Sequence, residues 1–337
     1  MTTTRLMVRD LRTTFGSGAS QVAAVQGVDL EIGAGETFVL LGESGSGKSV
    51  TARSILRLYD DSAKVEGSVV LGDQELVSLP ESQMRSLRGR RIGMVPQDPT
   101  GALDPLRSIG SQLMEVLRVH GVASSKAEAK RRARELLSIV GIADPDRVVS
   151  SRPHQLSGGM RQRAVIAIAI ACEPEVLIAD EPTTALDVTV QAAVIELFRD
   201  LQEQMGMSLL MVTHDVGVAE ELGGRVGVMY AGRLVETGPV SEVLSAPQHP
   251  YTRGLLASLP TPGVARGHLT VIQGRPPLTG EVTSGCAFAA RCPMVQSSCR
   301  TSAPALVPVA PDRSAACPIV NTTSTASTAV TSEEMTA

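Results

Sequence analysis

The stretch Gly42-Glu43-Ser44-Gly45-Ser46-Gly47-Lys48-Ser49 limits what this chain can fold into more than any other part of it. It follows the apolar run Phe38-Val39-Leu40-Leu41 and precedes Val50-Thr51-Ala52-Arg53-Ser54-Ile55-Leu56, an order that reads as strand, glycine-rich loop and helix. Glycines let such a loop turn its N–H groups inward around a polyphosphate, and the helix that follows adds the positive end of its dipole. Gly42, Ser44, Gly45 and Gly47 then supply the cradle, Lys48 reaches the β- and γ-phosphates, and the Ser49 hydroxyl ligates Mg²⁺. A chance match would not come with both the strand and the helix in place.

Composition bounds what surrounds that loop. With 337 residues there is room for one large α/β domain and a smaller module. Apolar residues make up 43% of the chain but aromatics only 2%, with no tryptophan, so the core has to be aliphatic. The net charge of −4 argues against a nucleic-acid partner held by bulk electrostatics. Met1-Thr2-Thr3-Thr4-Arg5 lacks the apolar segment of a signal peptide. The longest apolar run in a helical context, Ala164 to Cys172, falls far short of a bilayer span. The chain is expected to be cytosolic, with any membrane role supplied by a partner.

Ahead of the loop, Leu6-Met7-Val8, Val22-Ala23-Ala24-Val25 and Val28-Asp29-Leu30-Glu31-Ile32 read as antiparallel strands. Phe15 is placed either to stack on a nucleotide base or to plug a strand end. After the loop, Val65–Leu71 reads as another strand, and Arg91-Ile92-Gly93-Met94-Val95-Pro96-Gln97-Asp98 as a strand that ends in a polar loop. Gln97, between prolines, is a candidate ligand for Mg²⁺ or for a water. From Asp104 to about Ile170 the pattern turns helical. Ser125-Lys126-Ala127-Glu128 fits a capping box opening a basic amphipathic helix that stops at Gly141. Its run Lys130-Arg131-Arg132-Ala133-Arg134 reads as a solvated helix face.

This insert closes on Leu156-Ser157-Gly158-Gly159-Met160-Arg161-Gln162-Arg163, where a hydroxyl and two glycines open a long apolar helix. That is a second anion-binding device, and one phosphate chain does not need two cradles on one subunit. The segment resembles the signature motif of the ATP-binding-cassette (ABC) family, in which it acts on ATP held by the opposite subunit. The likeness runs over residues 5 to 260. It implies that Asp180, ending the strand Val176-Leu177-Ile178-Ala179, holds Mg²⁺ with Ser49 and Gln97, and that Glu181 is the general base for the attacking water. It also implies that Ala185-Leu186-Asp187 crosses a dimer interface and that His214, after Leu209-Leu210-Met211-Val212-Thr213, contacts the γ-phosphate. The fold so implied is an α/β P-loop NTPase core with an antiparallel β-subdomain and a helical insert at about 104–170, together spanning 1–258. A ribosomal or DNA-repair ABC protein is the rival, but such chains carry two cassettes or a coiled-coil insert, and here no motif repeats.

Beyond the cassette, Gln248-His249-Pro250-Tyr251-Thr252-Arg253-Gly254-Leu255-Leu256 and Gly274-Arg275-Pro276-Pro277-Leu278 resemble the C-terminal extension of oligopeptide and dipeptide importer ATPases, a branch that also handles nickel and some glycans. The resemblance implies a peripheral subunit on the cytoplasmic side of the membrane. Its partners would be a second, related ATPase chain, two permeases and an extracytoplasmic binding protein. The extension, 259–320, holds Cys286, Cys292, Cys299 and Cys317 at spacings of five, six and seventeen residues. In a reducing compartment such a cluster favours metal over disulfides. Four thiolates, with the pairs Cys292-Pro293 and Cys317-Pro318, suggest a [4Fe–4S] cluster; zinc is the alternative, then free thiols. The Thr/Ser-rich stretch 321–337 is expected to be disordered.

Overall fold

The computed structural model describes residues 4–60, 62–184, 186–259, 271–278, 281 and 284–320. The expectations for Ala185 and for 321–337 lie outside the described residues. Among the described residues, twelve strands form two sheets. Strands β1 (Thr4–Phe15), β2 (Val22–Gly33), β4 (Ala63–Leu71) and β5 (Gln74–Glu75) make an antiparallel sheet in the order β2-β1-β4-β5. The main sheet takes β3 (Thr37–Leu41), β6 (Ile92–Val95), β7 (Val176–Asp180), β8 (Ser208–Thr213), β9 (Arg225–Tyr230), β10 (Arg233–Pro239), β11 (Val307–Ala310) and β12 (Arg313–Ala315). Its order is β11-β12-β10-β9-β3-β8-β7-β6, with β9, β3, β8, β7 and β6 parallel.

The apolar runs of the parallel strands are unbroken because both faces are buried. Along β3, Val39 and Leu41 enter one core while Phe38 and Leu40 enter the other. Strand β8 splits the same way, Leu209 and Met211 against Leu210 and Val212. One core lies under the helical segment and the other under the antiparallel sheet. The two stretches 22–25 and 28–32, read as separate strands, are one strand, β2. Gly27, at φ +84, absorbs an irregularity in the pairing with β1, so the chain continues without a turn.

Helix α1 (Lys48–Ile55) leaves the loop, and α2 (Glu81–Leu87) follows the antiparallel sheet. Helices α3 (Ile109–Val119), α4 (Lys126–Ile139), α5 (Pro145–Ser150) and α6 (Gly158–Ala169) make up the helical segment. At α4, Ser125 caps through the amide of Glu128, but the Glu128 carboxylate turns to the amide and hydroxyl of Ser124, one residue earlier than a reciprocal capping box requires. Then come α7 (Val188–Met205), α8 (Val216–Leu222), α9 (Val240–Ser245), α10 (Pro250–Ala257) and α11 (Ser297–Thr301). Among the described residues no helix is long and apolar enough to cross a membrane.

The C-terminal segment is built into the main sheet. Strand β12 pairs with β10, Glu236 opposite Ala315, and β11 pairs with β12 in turn. Arg313 donates to the buried Glu236 carboxylate and to the Ala246 carbonyl. Three of the chain's few aromatic rings, Tyr230, Tyr251 and Phe288, pack together where this segment meets the core.

Candidate functional site

The loop at 42–49 has the tight geometry its glycines foretell. A Cβ on Gly42 would stand 2.3 Å from the Met229 carbonyl oxygen, and one on Gly47, at φ +103, would stand 2.7 Å from that of Ala24. Gly47 caps α1, leaving the first amides of the helix facing the loop. Lys48 is almost wholly buried and donates through Nζ to the carbonyls of Gly42, at 2.8 Å, and Glu43, at 2.9 Å. Burial lowers its pKa, while Glu181, 3.8 Å away, Asp180 and Glu43 act to raise it. The lysine thus rests on neutral acceptors at the bottom of the cradle.

Parallel strands bring the carboxylates to the same place. Asp180 ends β7 fully buried, and its Oδ1 accepts from the Ser49 hydroxyl at 2.6 Å. Burial raises its pKa, opposed by the Ser49 bond and by Arg53, whose Nη2 lies 3.8 Å from Oδ2. Among the described residues Asp180 Oδ2 has no hydrogen-bond partner although it is buried. An oxygen left so, beside a serine hydroxyl, fits a divalent cation, which takes oxygen ligands.

Glu181 is the centre of a second group. Its Oε2 accepts from Gln97 Nε2 at 3.1 Å and from the Thr184 hydroxyl at 3.0 Å, and His214 Nδ1 stands 3.2 Å from it. The backbone of Glu181 sits at φ +47, a conformation rare outside glycine and asparagine, and its N–H donates to the Val212 carbonyl on β8. Gln97, Glu181 and His214 therefore meet. Thr184 and Arg53 went unforeseen; Thr184 is only three residues past Glu181, so spacing could have flagged it.

Other expected residues stand apart. Ser157 caps α6 through the Met160 amide, and Ser157 and Gly158 are exposed. Among the described residues no hydrogen bond links Ser157, Gly158 or Gly159 to the 42–49 loop. Asp187 caps α7 through the Val190 amide. Phe15, half-buried, sets its ring edge-on against Tyr59, centroids 5.0 Å apart.

The cysteine expectation gains no support from the geometry. Cys286, Cys292, Cys299 and Cys317 are all free of disulfides, and burial, with a smaller push from the neighbouring thiols, raises Cys286 and Cys292. They share a neighbourhood. Yet among the described residues no group of three or more His, Cys, Asp or Glu side chains could hold a metal ion, so neither the [4Fe–4S] cluster nor zinc has a formed site. Cys299 and Cys317 are buried, while Cys286 and Cys292 are half-buried.

A sheet that delivers a phosphate cradle, an acid pair and a histidine to one edge, with a helical segment whose last helix opens on Ser-Gly-Gly, is the ATPase cassette of the P-loop class. The chain belongs to the ABC transporter family, which it matches over residues 25–184; residues 235–299 match the oligopeptide/dipeptide transporter C-terminal region. It is 48% identical to a probable peptide ABC transporter ATP-binding protein of Sinorhizobium fredii, covering 93% of this chain and 94% of that one. It is 47% identical to the dipeptide transport ATP-binding protein DppD of Bacillus subtilis, covering 86% of each. Among solved structures, the ATP-binding cassette MJ0796, as a dimer bound to ADP and Pi, matches at TM-score 0.62 and 30% identity, over 70% of this chain and 98% of that one.

Proposed function

We propose that this chain is the ATP-binding and ATP-hydrolysing subunit of a membrane importer for peptides, acting from the cytoplasmic face. The observation that carries the reading is Glu181, held by Gln97 and Thr184, facing His214 and 3.8 Å from Lys48. ATP would lie on the amides of 42–49, with Lys48 turning from its two carbonyls to the phosphates. Ser49 and Asp180, with Gln97 able to reach in, would hold Mg²⁺, which supplies neutralisation of phosphate charge. Glu181 would take the proton of the attacking water, and His214, half-exposed, would sense the terminal phosphate. Phe15, beside Tyr59, is assigned to the base.

Residues 1–258 would act as the ATPase, with 104–170 toward the permeases, and 259–320 as the extension. Ser157, Gly158, Gly159 and Asp187 would serve ATP on a second, related ATPase chain. Val188, next to Asp187, is 83% exposed, and Leu106 is 80% exposed, apolar groups that a partner would cover. Two permeases and an extracytoplasmic binding protein complete the assembly. The likeness to peptide-transport ATPases over nearly the whole chain supports the substrate class.

For the four cysteines the finer reading is a [4Fe–4S] cluster, resting on thiol number and neighbourhood. Anaerobically purified protein should hold about four irons per chain and absorb broadly near about 400 nm. Stoichiometric zinc would replace iron in that reading, and metal-free protein would end it. The function itself is tested by Glu181→Gln in the assembled complex. ATP binding should persist while steady-state hydrolysis collapses; near-normal turnover would move the base elsewhere.

A further inference from the structure

Glu43, the second residue of the phosphate loop, has every polar group engaged, and two partners come from far along the chain. Its amide donates to Tyr251 Oη on α10 at 2.9 Å. Its carbonyl accepts from Lys48 Nζ and from the Ser46 amide. Its carboxylate takes both arms of the Arg291 guanidinium, Nη1 to Oε2 at 2.9 Å and Nη2 to Oε1 at 3.3 Å. Arg291 belongs to the C-terminal segment and its side chain is 6% exposed. The same guanidinium donates to Tyr230 Oη and to the carbonyls of Ile272 and Gln273, and lies 5.8 Å from the centre of the Tyr230 ring. A second stretch of the segment, Arg275–Leu278, walls a cavity of about 350 Å³ whose other side is Glu43–Ser46.

We propose that Arg291 is a positioning residue of the phosphate loop: by clamping Glu43 it fixes the Gly42–Glu43 backbone on which Lys48 rests, so the C-terminal segment sets how tightly the loop takes ATP. The inference rests on the reading of 42–49 as the ATP site. A buried guanidinium needs its carboxylate, because a buried charge without its partner is costly. The planar fork also holds the carboxylate in one orientation, which a lysine ammonium does not. If Arg291 merely anchored the segment, losing the pair would lower stability and leave nucleotide affinity alone. The loop contacts predict the reverse emphasis, since the Glu43 carbonyl shares Lys48 with the phosphates.

The test is a double-mutant cycle on the full chain with Mg–ATP. Arg291→Lys and Glu43→Gln should each weaken ATP affinity on the order of tenfold, and the double variant should be no worse than either alone. KM should rise by a similar factor with kcat changing less than about twofold. Exchanging the charges, Glu43→Arg with Arg291→Glu, should recover part of the loss. Thermal unfolding reports whether each variant folds, and if Arg291→Lys does not, Glu43→Gln, which keeps every residue of the C-terminal segment including Arg291, decides. Folded variants with unchanged affinity, or losses that simply add, would overturn the clamp alone. Wild-type protein that takes up no ATP would overturn the nucleotide reading and the clamp with it.

Discussion

Glu181 illustrates how single residues are held at this site. Its φ of +47 costs on the order of 1–3 kcal/mol, and such strain persists only where surroundings over-determine it. Here the Val212 carbonyl, Thr184 and Gln97 do so. Glutamine has the same shape and meets the same backbone demand, so Glu181→Gln isolates the carboxylate from the fold. Its turnover should fall about a hundredfold or more, the size of a lost general base. Affinity, which rests on Lys48 and the loop amides, should stay within about threefold by nucleotide titration. A parallel loss of affinity would mean that Glu181 shapes the loop instead.

At the scale of elements, α10 couples the core to the C-terminal segment, and its cap is titratable. His249 is buried, and its Nδ1 accepts from the Tyr251 amide at 3.0 Å while its own amide donates to Glu236. Glu236 is in turn paired with Arg313. Burial pushes His249 down to about 4 from the ordinary 6.5, so the unfolded chain binds a proton that the folded chain refuses. That contribution to stability is complete above pH 6.5 and is lost as pH falls from 6.5 toward 4. Its size is on the order of 3 kcal/mol. Urea unfolding between neutral and mildly acid pH should show this slope, and His249→Asn, which keeps a capping acceptor but does not titrate, should flatten it. Equal slopes in both proteins would assign the acid sensitivity to other groups.

For the whole molecule, the decisive feature is that the Ser157-Gly158-Gly159 helix start stands apart from the 42–49 loop. Ser157 and Gly158 lie open at the start of α6, with no hydrogen bond to the chain's own loop among the described residues. If, as proposed, Ser157 serves ATP on a second ATPase chain, Ser157→Arg should cripple hydrolysis of that ATP through bulk and charge, leaving nucleotide binding at 42–49 intact. Hydrolysis at each site, resolved by disabling one loop lysine at a time, checks this. Failure confined to this chain's own site would remove the shared arrangement.

The local patterns from which the candidate site is built were legible in the sequence. A glycine-rich loop between an apolar run and a helix, acids at a strand end and Ser-Gly-Gly at a helix start are short-range patterns, and backbone physics acts at that range. The burial of both faces of β3, β7 and β8 was equally legible, as unbroken apolar runs. The joining of two stretches into β2 turned on one glycine, whose positive φ let the chain continue as one strand where two were expected. Arg291 and Glu43, 248 positions apart, could be paired only by the docking of β12 onto β10 and the stacking of Tyr230, Tyr251 and Phe288. The four cysteines were likewise visible as a count, but whether thiols stand where a metal needs them depends on how that segment packs. Periodicity reports which side of an element is buried; which distant element lies against it is settled by packing, which no local pattern encodes.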